Sequence, residues 1–370
     1  MSMRLRVNWI CELPTHYNDV LFNEMAKNQN TDFTIFYILK KLDTHPWKSS
    51  TRNYTFIFYK RFVFVDWRLL IKALTESKTI WIIGGWFDIT SLLIIFFRSL
   101  FGWNYVIWTD TPDIRKRKKS LYNISRSILL KHILSKATFV LGAGQHSLPV
   151  LHELGAAPQR TVNMPYFVDT TSFKPLDSNA FFKRSKLVFL SAGRLLNDVK
   201  GFDLALSALA NFKSNYPNVD FVYRIAGVGS DLEILKEMTL NLNLNNQVEF
   251  VGWLESYQLP EFFSNGHYFL HPARYEPFGV SVIEAMAAGL IVIGSDVTGA
   301  ILDRVVQDKI GFIHIAGSKQ SLLEQIEKIM QLSNNEILNI RKNSIEISNK
   351  WNIGAGKKII NNIIEIICAE

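Results

Sequence analysis

The sequence has little cysteine: its 370 residues contain 2, Cys11 and Cys368, at opposite ends of the chain. This excludes a disulfide-stapled fold and a cysteine-rich metal site, and is typical of a protein in a reducing compartment. The sequence also lacks an Asp-x-Asp pair and a histidine cluster, so we predict no bound metal and no cofactor. No Gly-x-Gly-x-x-G follows the first apolar run, RVNWI, which argues against a nicotinamide-dependent dehydrogenase.

Long apolar runs are also missing. The most apolar segment, ITSLLIIFFRSLFGWNYVIW, is interrupted by Arg98 and Asn104, and its uninterrupted part is too short to span a bilayer. The N-terminal MSMRLRVNWICELP lacks the apolar core and cleavage site of a signal peptide. We therefore expect a cytoplasmic protein, soluble or peripheral on the inner face of the cell membrane. The chain length favours two domains over one, and 48% hydrophobic residues are enough to build their cores.

The formal net charge is +8, and it is unevenly distributed. Residues 114–137 are densely basic and contain no acid, although leucine and isoleucine are mixed in. Without zinc-finger spacing or an RNA-binding aromatic signature, we do not expect nucleic acid as a partner. Two interpretations stay open, a solvated helix face or a patch that rests on anionic lipid head groups. The membrane interpretation is favoured by the nearby tryptophans Trp81, Trp86, Trp103 and Trp108.

Short apolar runs alternate with helical segments along the chain. RVNWI, TIWIIGG, WNYVIWTD and ATFVLGAG precede a linker over 163–185, and KLVFLSAGR, FVYRIAGVGS, VEFVGW, HYFLHPA, LIVIGSD and GFIHIAG follow it. This alternation predicts βαβ units and parallel sheets. We predict an α/β fold with two Rossmann-like domains, 1–165 and 166–350, facing each other across a cleft, and a final helical segment at 351–370.

Ligands of open α/β sheets bind beyond the carboxyl ends of the strands, where several candidate residues lie. Arg194 follows a predicted strand, and Lys200 is expected at the opening of a helix, where free N–H groups attract phosphate. Together they would clamp a diphosphate, whereas the alternative is two exposed surface cations. Gly227 and Gly229 in AGVGS would allow close approach of a ligand, but an ordinary turn explains them equally well.

The stretch RYEPFGVSVIEAMAAG contains two glutamates in different surroundings. Glu276 lies in a loop that Pro277 and Gly279 turn sharply, while Glu284 lies in a helix that is apolar on nearly every side. We expect Glu284 to be largely buried rather than exposed to solvent. A buried carboxylate needs hydrogen-bond donors, and the two hydroxyls of a ribose are suitable ones.

These motifs, in this order, resemble the retaining glycosyltransferases of the GT-B fold, family 4. EPFGVSVIE, GRLLNDVKG, AGVGS and TGAILDRVVQDKIGFIH carry the resemblance, which covers nearly all of the second half. It implies transfer of a sugar from a nucleoside diphosphate sugar to a hydroxyl. The basic, aromatic first half and the small charged fraction favour a glycan or lipid-linked acceptor, such as a bacterial surface polysaccharide or lipopolysaccharide. The resemblance also implies that the terminal helix crosses back to the first domain, which binds the acceptor. The donor-binding positions it implies are Gly193, Arg194, Lys200, Gly227, Gly229, Gly252, Trp253, Glu276, Phe278, Gly279, Val280 and Glu284.

The first half matches the family only in outline. Many relatives place a histidine after a first-domain strand, and Asp110 in VIWTDTPD stands there instead, unless it is a helix cap or turn residue. We assign catalysis to Glu276, Asp110, Arg194 and Lys200. His16 and Tyr17 are candidates on the acceptor side, although a lone histidine is more often structural. A catalytically silent nucleotide-sugar-binding subunit is the alternative function.

Overall fold

A computed structural model of the chain describes residues 4–40, 51–111, 121–183 and 185–369, without the side chains of 121–126. Its described residues divide into two compact units. Unit 1 comprises Met1–Phe167 and Ile353–Glu370, and unit 2 comprises Val168–Asn352.

Unit 1 is built on a parallel sheet with helices between its strands. Its described strands are β1 (Leu5–Cys11), β2 (Thr31–Tyr37), β3 (Thr55–Phe58), β4 (Ile80–Gly84), β5 (Val106–Thr109), β6 (Phe139–Gly142) and β7 (Thr161–Asn163). Its helices before the second unit are α1 (His16–Met25), α2 (Trp67–Thr75), α3 (Ile89–Phe101), α4 (Leu121–Lys136) and α5 (Ser147–Glu153). The described strands lie in the order β3-β2-β1-β4-β5-β6-β7, and every pair is parallel. Strands β5 and β6 are buried throughout, as expected for a sheet covered on both faces.

Arg98, which interrupts the most apolar segment of the sequence, is fully buried in unit 1. Its guanidinium donates hydrogen bonds to the backbone carbonyls of five residues, Ala73, Glu76, Ser77, Thr79 and Asn104. A buried charge is tolerated when its donors are satisfied in this way. This charged residue therefore ties α3 to the end of α2 and the loops around it.

The tryptophans that favoured a membrane interpretation are mostly core residues. Trp81 is fully buried, and Trp86 and Trp108 are nearly so. Trp103 is half-buried. The three buried tryptophans cannot reach a lipid surface, so the membrane interpretation is wrong where it relied on them. Residues 114–120 of that stretch, and the side chains of 121–126, lie outside the described part of the chain.

Unit 2 repeats the parallel-sheet design. It contains α6 (Ser178–Lys183), β8 (Leu187–Ala192), α7 (Asn197–Lys200), α8 (Phe202–Asn215), β9 (Phe221–Ala226), α9 (Leu232–Asn241), β10 (Val248–Gly252), α10 (Leu259–Ser264), β11 (Tyr268–His271), α11 (Val280–Ala287), β12 (Ile291–Ser295), α12 (Gly299–Arg304), β13 (Gly311–His314), α13 (Lys319–Ile329) and α14 (Asn334–Asn349). The described strands lie in the order β10-β9-β8-β11-β12-β13, all parallel. The chain then returns to unit 1 with α15 (Ile353–Ala369), which packs on α1.

Two local expectations need correction. The segment 163–185 was expected to be an irregular linker, but it contains α6, whose Phe181 is buried in the core of unit 2. Lys200 was expected to open a helix, but it ends the short α7, and α8 begins at Phe202 after the left-handed Gly201. Among the described helices, none combines the length and the apolar character needed to cross a bilayer.

Candidate functional site

The strand order of unit 2 reverses between β8 and β11, which are neighbours in the sheet but not in the sequence. The connections that leave these two strands run to opposite sides, so their carboxyl ends open a crevice. The loop with Arg194 and Lys200 follows β8, and the loop with Glu276 follows β11. This topology brings together two motifs that are far apart in the sequence.

A cluster of Lys200, Glu276 and His271 lies at this crevice. The Lys200 ammonium donates to the Glu276 carboxylate, and both side chains are largely buried. His271, the last residue of β11, places its Nε2 atom 3.5 Å from the same carboxylate. The sequence predicted Lys200 and Glu276 as site residues, but not that they pair with each other. It missed His271, whose place at the carboxyl end of a strand was the available signal.

Burial and charge set the protonation states of this cluster. Burial alone would raise the pKa of Glu276, but the charge of Lys200 and the nearby His271 outweigh it and hold that pKa well below its ordinary value. Burial lowers the pKa of His271 below its ordinary 6.5, although Glu276 acts in the opposite direction. At neutral pH the site therefore holds a fixed carboxylate beside a neutral imidazole.

Arg274 fixes the β11 loop to α7, another feature that the sequence did not reveal. Its guanidinium donates to both oxygens of Asp203 at 2.7 Å and to the carbonyl of Asn197 at 2.7 Å. The backbone N–H groups of Arg274 and Tyr275 donate to the carbonyl of Val199 at 2.8 and 3.1 Å. These bonds hold the residues that flank Lys200 against the residues that precede Glu276.

The glycines of AGVGS let two backbone loops interlock. A Cβ atom on Gly227 would lie 1.9 Å from the carbonyl oxygen of Gly193, and one on Gly229 would lie 2.3 Å from that of Leu195. The N–H of Gly227 donates to the carbonyl of Gly252 at 2.7 Å, so the end of β10 is joined to the same loops. The glycines thus permit close packing between loops of unit 2, rather than serving only as an ordinary turn.

The turn after Glu276 is held by its own set of contacts. Gly279 has a left-handed backbone (φ 96°) and precedes α11. The first N–H groups of this helix, those of Val280 and Ser281, lack partners within the helix. The carbonyl of Phe278 accepts from Ala300 at 2.7 Å, and its ring lies 5.2 Å from the guanidinium carbon of Arg304. This turn therefore presents helix N–H groups beside the Lys200 cluster while its aromatic side chain is buried.

The remaining donor-side candidates of unit 2 have different environments. Glu284 is buried, at 5% exposure, as expected from the apolar helix around it. Arg194 and Trp253 are half-buried residues that follow β8 and β10. Gly252 has a left-handed backbone (φ 80°) with open space around it.

Unit 1 has its own polar group at the carboxyl ends of its strands. Asp110, directly after β5, accepts a hydrogen bond from the Tyr166 hydroxyl at 2.9 Å. Burial and the Asp110 charge raise the pKa of Tyr166, so the hydroxyl keeps its proton and donates. The Tyr17 ring lies 5.2 Å from that of Tyr166 and 5.2 Å from that of His16, the first residue of α1. The structure thus brings together Asp110, His16 and Tyr17, and adds Tyr166, which the sequence did not single out.

Comparison with known proteins connects the second unit to a family. Residues 174–351 match the family model described as glycosyl transferases group 1. The match covers most of unit 2, and we call residues 174–351 the group 1 region. The group 1 region contains all the donor-side candidates of unit 2, whereas His16, Tyr17 and Asp110 lie outside it.

Two curated relatives illustrate the match. The phosphatidylinositol N-acetylglucosaminyltransferase gpi3 subunit of Schizosaccharomyces pombe is 32% identical over 142 residues, 38% of this chain and 30% of that protein. A putative colanic acid biosynthesis glycosyltransferase of Escherichia coli is 25% identical over 237 residues, 60% of this chain and 57% of that protein. The matches therefore span less than two thirds of the length of these relatives.

A solved structure extends the likeness to the first unit. The crystal structure of Anabaena HepE in complex with UDP superposes with a TM-score of 0.77, at 16% sequence identity, over 98% of this chain and 100% of that one. This confirms the predicted fold class, two parallel-sheet α/β domains of the GT-B type.

Proposed function

We propose that this chain is a glycosyltransferase that moves a sugar from a nucleoside diphosphate sugar to a hydroxyl, with retention of anomeric configuration. The observation that carries the proposal is the Lys200–Glu276–His271 cluster, at the switch point of the sheet in a group 1 region. A chain with the same fold has been solved with UDP bound, which supports a nucleotide as the ligand. The buried cation, the buried carboxylate and the free helix N–H groups suit a donor that carries both sugar and diphosphate.

In this mechanism the leaving diphosphate gains negative charge while the sugar becomes positive. Lys200, Arg194 and the first N–H groups of α11 stabilise the diphosphate. Glu276, kept ionised by its neighbours, faces the sugar and its developing positive charge. Each well-placed group of this kind contributes roughly 3 kcal/mol to transition-state stabilisation. Because these cations take the place of a divalent ion, we expect activity to persist in a chelator.

The remaining residues are assigned to binding the nucleoside of the donor and the acceptor. Glu284 is proposed to bind the ribose hydroxyls, and Gly252 and Trp253 to line the nucleobase pocket. Unit 1 is proposed to bind the acceptor, with Asp110 in the place that a histidine takes in relatives. The acceptor is proposed to be a glycan or lipid-linked glycan of a bacterial surface polysaccharide or lipopolysaccharide. The relative named for colanic acid biosynthesis supports this class.

A donor panel tests the proposal. Nucleotide release is measured from UDP-, GDP- and ADP-sugars, with and without a detergent extract of membranes. The variants are Glu276→Gln, Lys200→Ala and Arg194→Ala. We expect release from one donor, stimulated by the extract and lost in Glu276→Gln, with weaker donor binding in the other two. Lys186→Ala, which removes a lysine from an exposed ion pair with Asp220, is the matched control. Wild-type turnover in all three variants would contradict the site.

Nucleotide binding and turnover, measured together, distinguish an active glycosyltransferase from a catalytically silent nucleotide-sugar-binding subunit. Nucleotide binding without release from any donor, measured by calorimetry on the same samples, would favour the catalytically silent subunit. Absence of both would contradict the diphosphate clamp itself.

The location of the protein at the cell membrane is a separate part of the proposal. We place the protein in the cytoplasm and on the inner face of the membrane through the basic stretch 114–137. Sedimentation with anionic liposomes, with this stretch neutralised, tests it. Equal binding by both versions would remove the stretch from the proposal.

A further inference from the structure

Unit 1 displays large apolar side chains on one exposed area, formed by two segments. The first is the loop after β3 together with the start of α2, and the second is the loop before α3 together with the first residue of that helix. We call the exposed residues there the apolar patch: Phe62, Val63, Phe64, Trp67, Ile71, Phe87 and Ile89. Phe62, Phe64 and Phe87 are 73%, 74% and 74% exposed, which is unusual for phenylalanine. Exposed apolar patches of this kind mark interaction sites.

Hydrogen bonds join the two segments into one surface. The Asp66 carboxylate accepts from the N–H of Lys60 at 2.7 Å, which closes the loop. The Asp66 N–H donates to the Thr90 hydroxyl at 3.0 Å, so the loop is fixed to the first turn of α3. Trp67 and Ile71 are one helical turn apart on α2 and therefore share a face. These hydrogen bonds give the apolar patch a defined backbone structure, so it is not a frayed loop.

The tip of the loop has a backbone that its residues disfavour. Phe62 and Val65 exchange hydrogen bonds at 2.8 and 3.3 Å, and the two residues between them, Val63 and Phe64, have φ of 48° and 67°. Such a turn prefers asparagine and glycine, and a β-branched valine with positive φ is an outlier. Folding alone would therefore favour other residues, since these side chains gain no burial at the tip. A function that needs two apolar side chains at an exposed tip explains their presence.

The charges around the patch indicate the partner. Lys60, Arg61 and Arg68 are exposed beside it, while the two carboxylates of these segments, Asp66 and Asp88, each cap a helix. We propose that the apolar patch inserts into the interface of an anionic lipid bilayer, with the three cations at the level of the head groups. Aromatic residues next to basic ones are typical of such surfaces. A second copy of this chain fits less well, because two basic rims would face each other.

The proposal concerns residues different from the basic stretch 114–137, and it stands whether or not the chain transfers sugar. The main test is the double variant Val63→Asn, Phe64→Gly, measured by sedimentation with vesicles of phosphatidylcholine and phosphatidylglycerol. Since these residues suit the turn, we expect a higher melting temperature and about tenfold weaker vesicle binding. Misfolding cannot explain a loss of binding in a more stable protein. The matched control is Ile234→Ser, Leu240→Ser, which removes two exposed apolar side chains from α9 in unit 2.

A second measurement separates insertion from charge attraction. Phe64→Cys is labelled with an environment-sensitive dye in a Cys368→Ser background, because Cys11 is buried and Cys368 is exposed. We expect a blue shift with anionic vesicles that is absent for the same label at the exposed Tyr257→Cys in unit 2. Arg61→Gln, Arg68→Gln should weaken binding to anionic vesicles and reduce its salt dependence.

Three results would overturn the proposal. One is failure of the wild-type protein to bind anionic vesicles. Another is equal binding by wild type and the Val63→Asn, Phe64→Gly variant. The third is concentration-dependent dimerisation of wild type that this variant abolishes without any vesicle binding, which would make the patch an interface between copies.

Discussion

Lys200 and Glu276 are 76 positions apart in the sequence, yet their side chains form an ion pair that is largely shielded from solvent. Each residue belongs to a different motif, one after β8 and one after β11, and each motif was assigned to a different part of the donor. Their pairing means that a change to either residue alters the charge state and the position of the other. Single variants at this site therefore report on the pair.

The acid stability of the protein should depend on His271 and Glu276. Both pKa values are lower in the folded protein than their ordinary 6.5 and 4.5, so the unfolded chain binds protons more readily. The stability that they contribute is full above these ordinary values and is lost as the pH falls. Urea unfolding from about pH 7 to about pH 5 should show a loss that is smaller in His271→Asn by on the order of 1 kcal/mol. Glu276→Gln should reduce the loss of stability only at lower pH. If stability fell equally with pH in wild type, His271→Asn and Glu276→Gln, the lowered pKa values of His271 and Glu276 would be contradicted.

Arg274 should matter for nucleotide binding although it lies outside the predicted clamp. Arg274→Ala removes the bonds that hold α7, so Lys200 loses its position, and we expect weaker UDP binding in calorimetry. Because the pair with Asp203 is partly exposed, the loss of folding stability should be only about 1 kcal/mol. Arg274→Lys should restore part of the binding. Arg224→Ala, which breaks an exposed pair with Glu249, is the control and should leave binding unchanged.

Two glycines with unusual backbones should respond differently to alanine. Gly227→Ala would place a methyl group 1.9 Å from the Gly193 carbonyl, so the interlocked loops must separate. We expect a loss of about 3 kcal/mol or more in the free energy of unfolding. Gly252→Ala has open space and only an unfavourable φ, so about 1 kcal/mol is expected. Equal losses in urea denaturation would show that backbone strain, and not the collision, dominates.

Arg304 is a buried cation whose three nitrogens have no hydrogen-bond partner among the described residues. Its guanidinium carbon lies 5.2 Å from the rings of both Phe278 and Trp351, and burial lowers its pKa to about 9. A methionine of similar length would keep the packing without the cost of a buried charge. Arg304→Met should therefore be neutral or stabilising by about 1 kcal/mol. Arg304→Ala should destabilise by about 3 kcal/mol, because it leaves a cavity beside the rings of Phe278 and Trp351. Equal melting temperatures for the Met and Ala variants in thermal unfolding would contradict this prediction.

The second half of the chain was the more readable part of the sequence. The strand ends at Arg194 and His271, the turn at Gly279 and the buried position of Glu284 all follow from local patterns, since each residue sits next to a clear strand or helix. The first half gave weaker signals: β2, β3 and β7 were not foreseen, and β3 is largely exposed. Arg98 looked like an interruption of an apolar segment, because its carbonyl partners come from other parts of the chain.

The sequence by itself determined the alternation of strands and helices, the two parallel-sheet domains and the residue types available at the strand ends. Local periodicity and turn chemistry are properties of neighbouring residues, so they can be read without a structure. Only the tertiary structure decided that Lys200 pairs with Glu276, that His271 stands beside them, and that Trp81, Trp86 and Trp108 are core residues while Phe62, Phe64 and Phe87 are exposed. Contacts and burial depend on which distant segments the sheet order makes neighbours, and no local pattern carries that information.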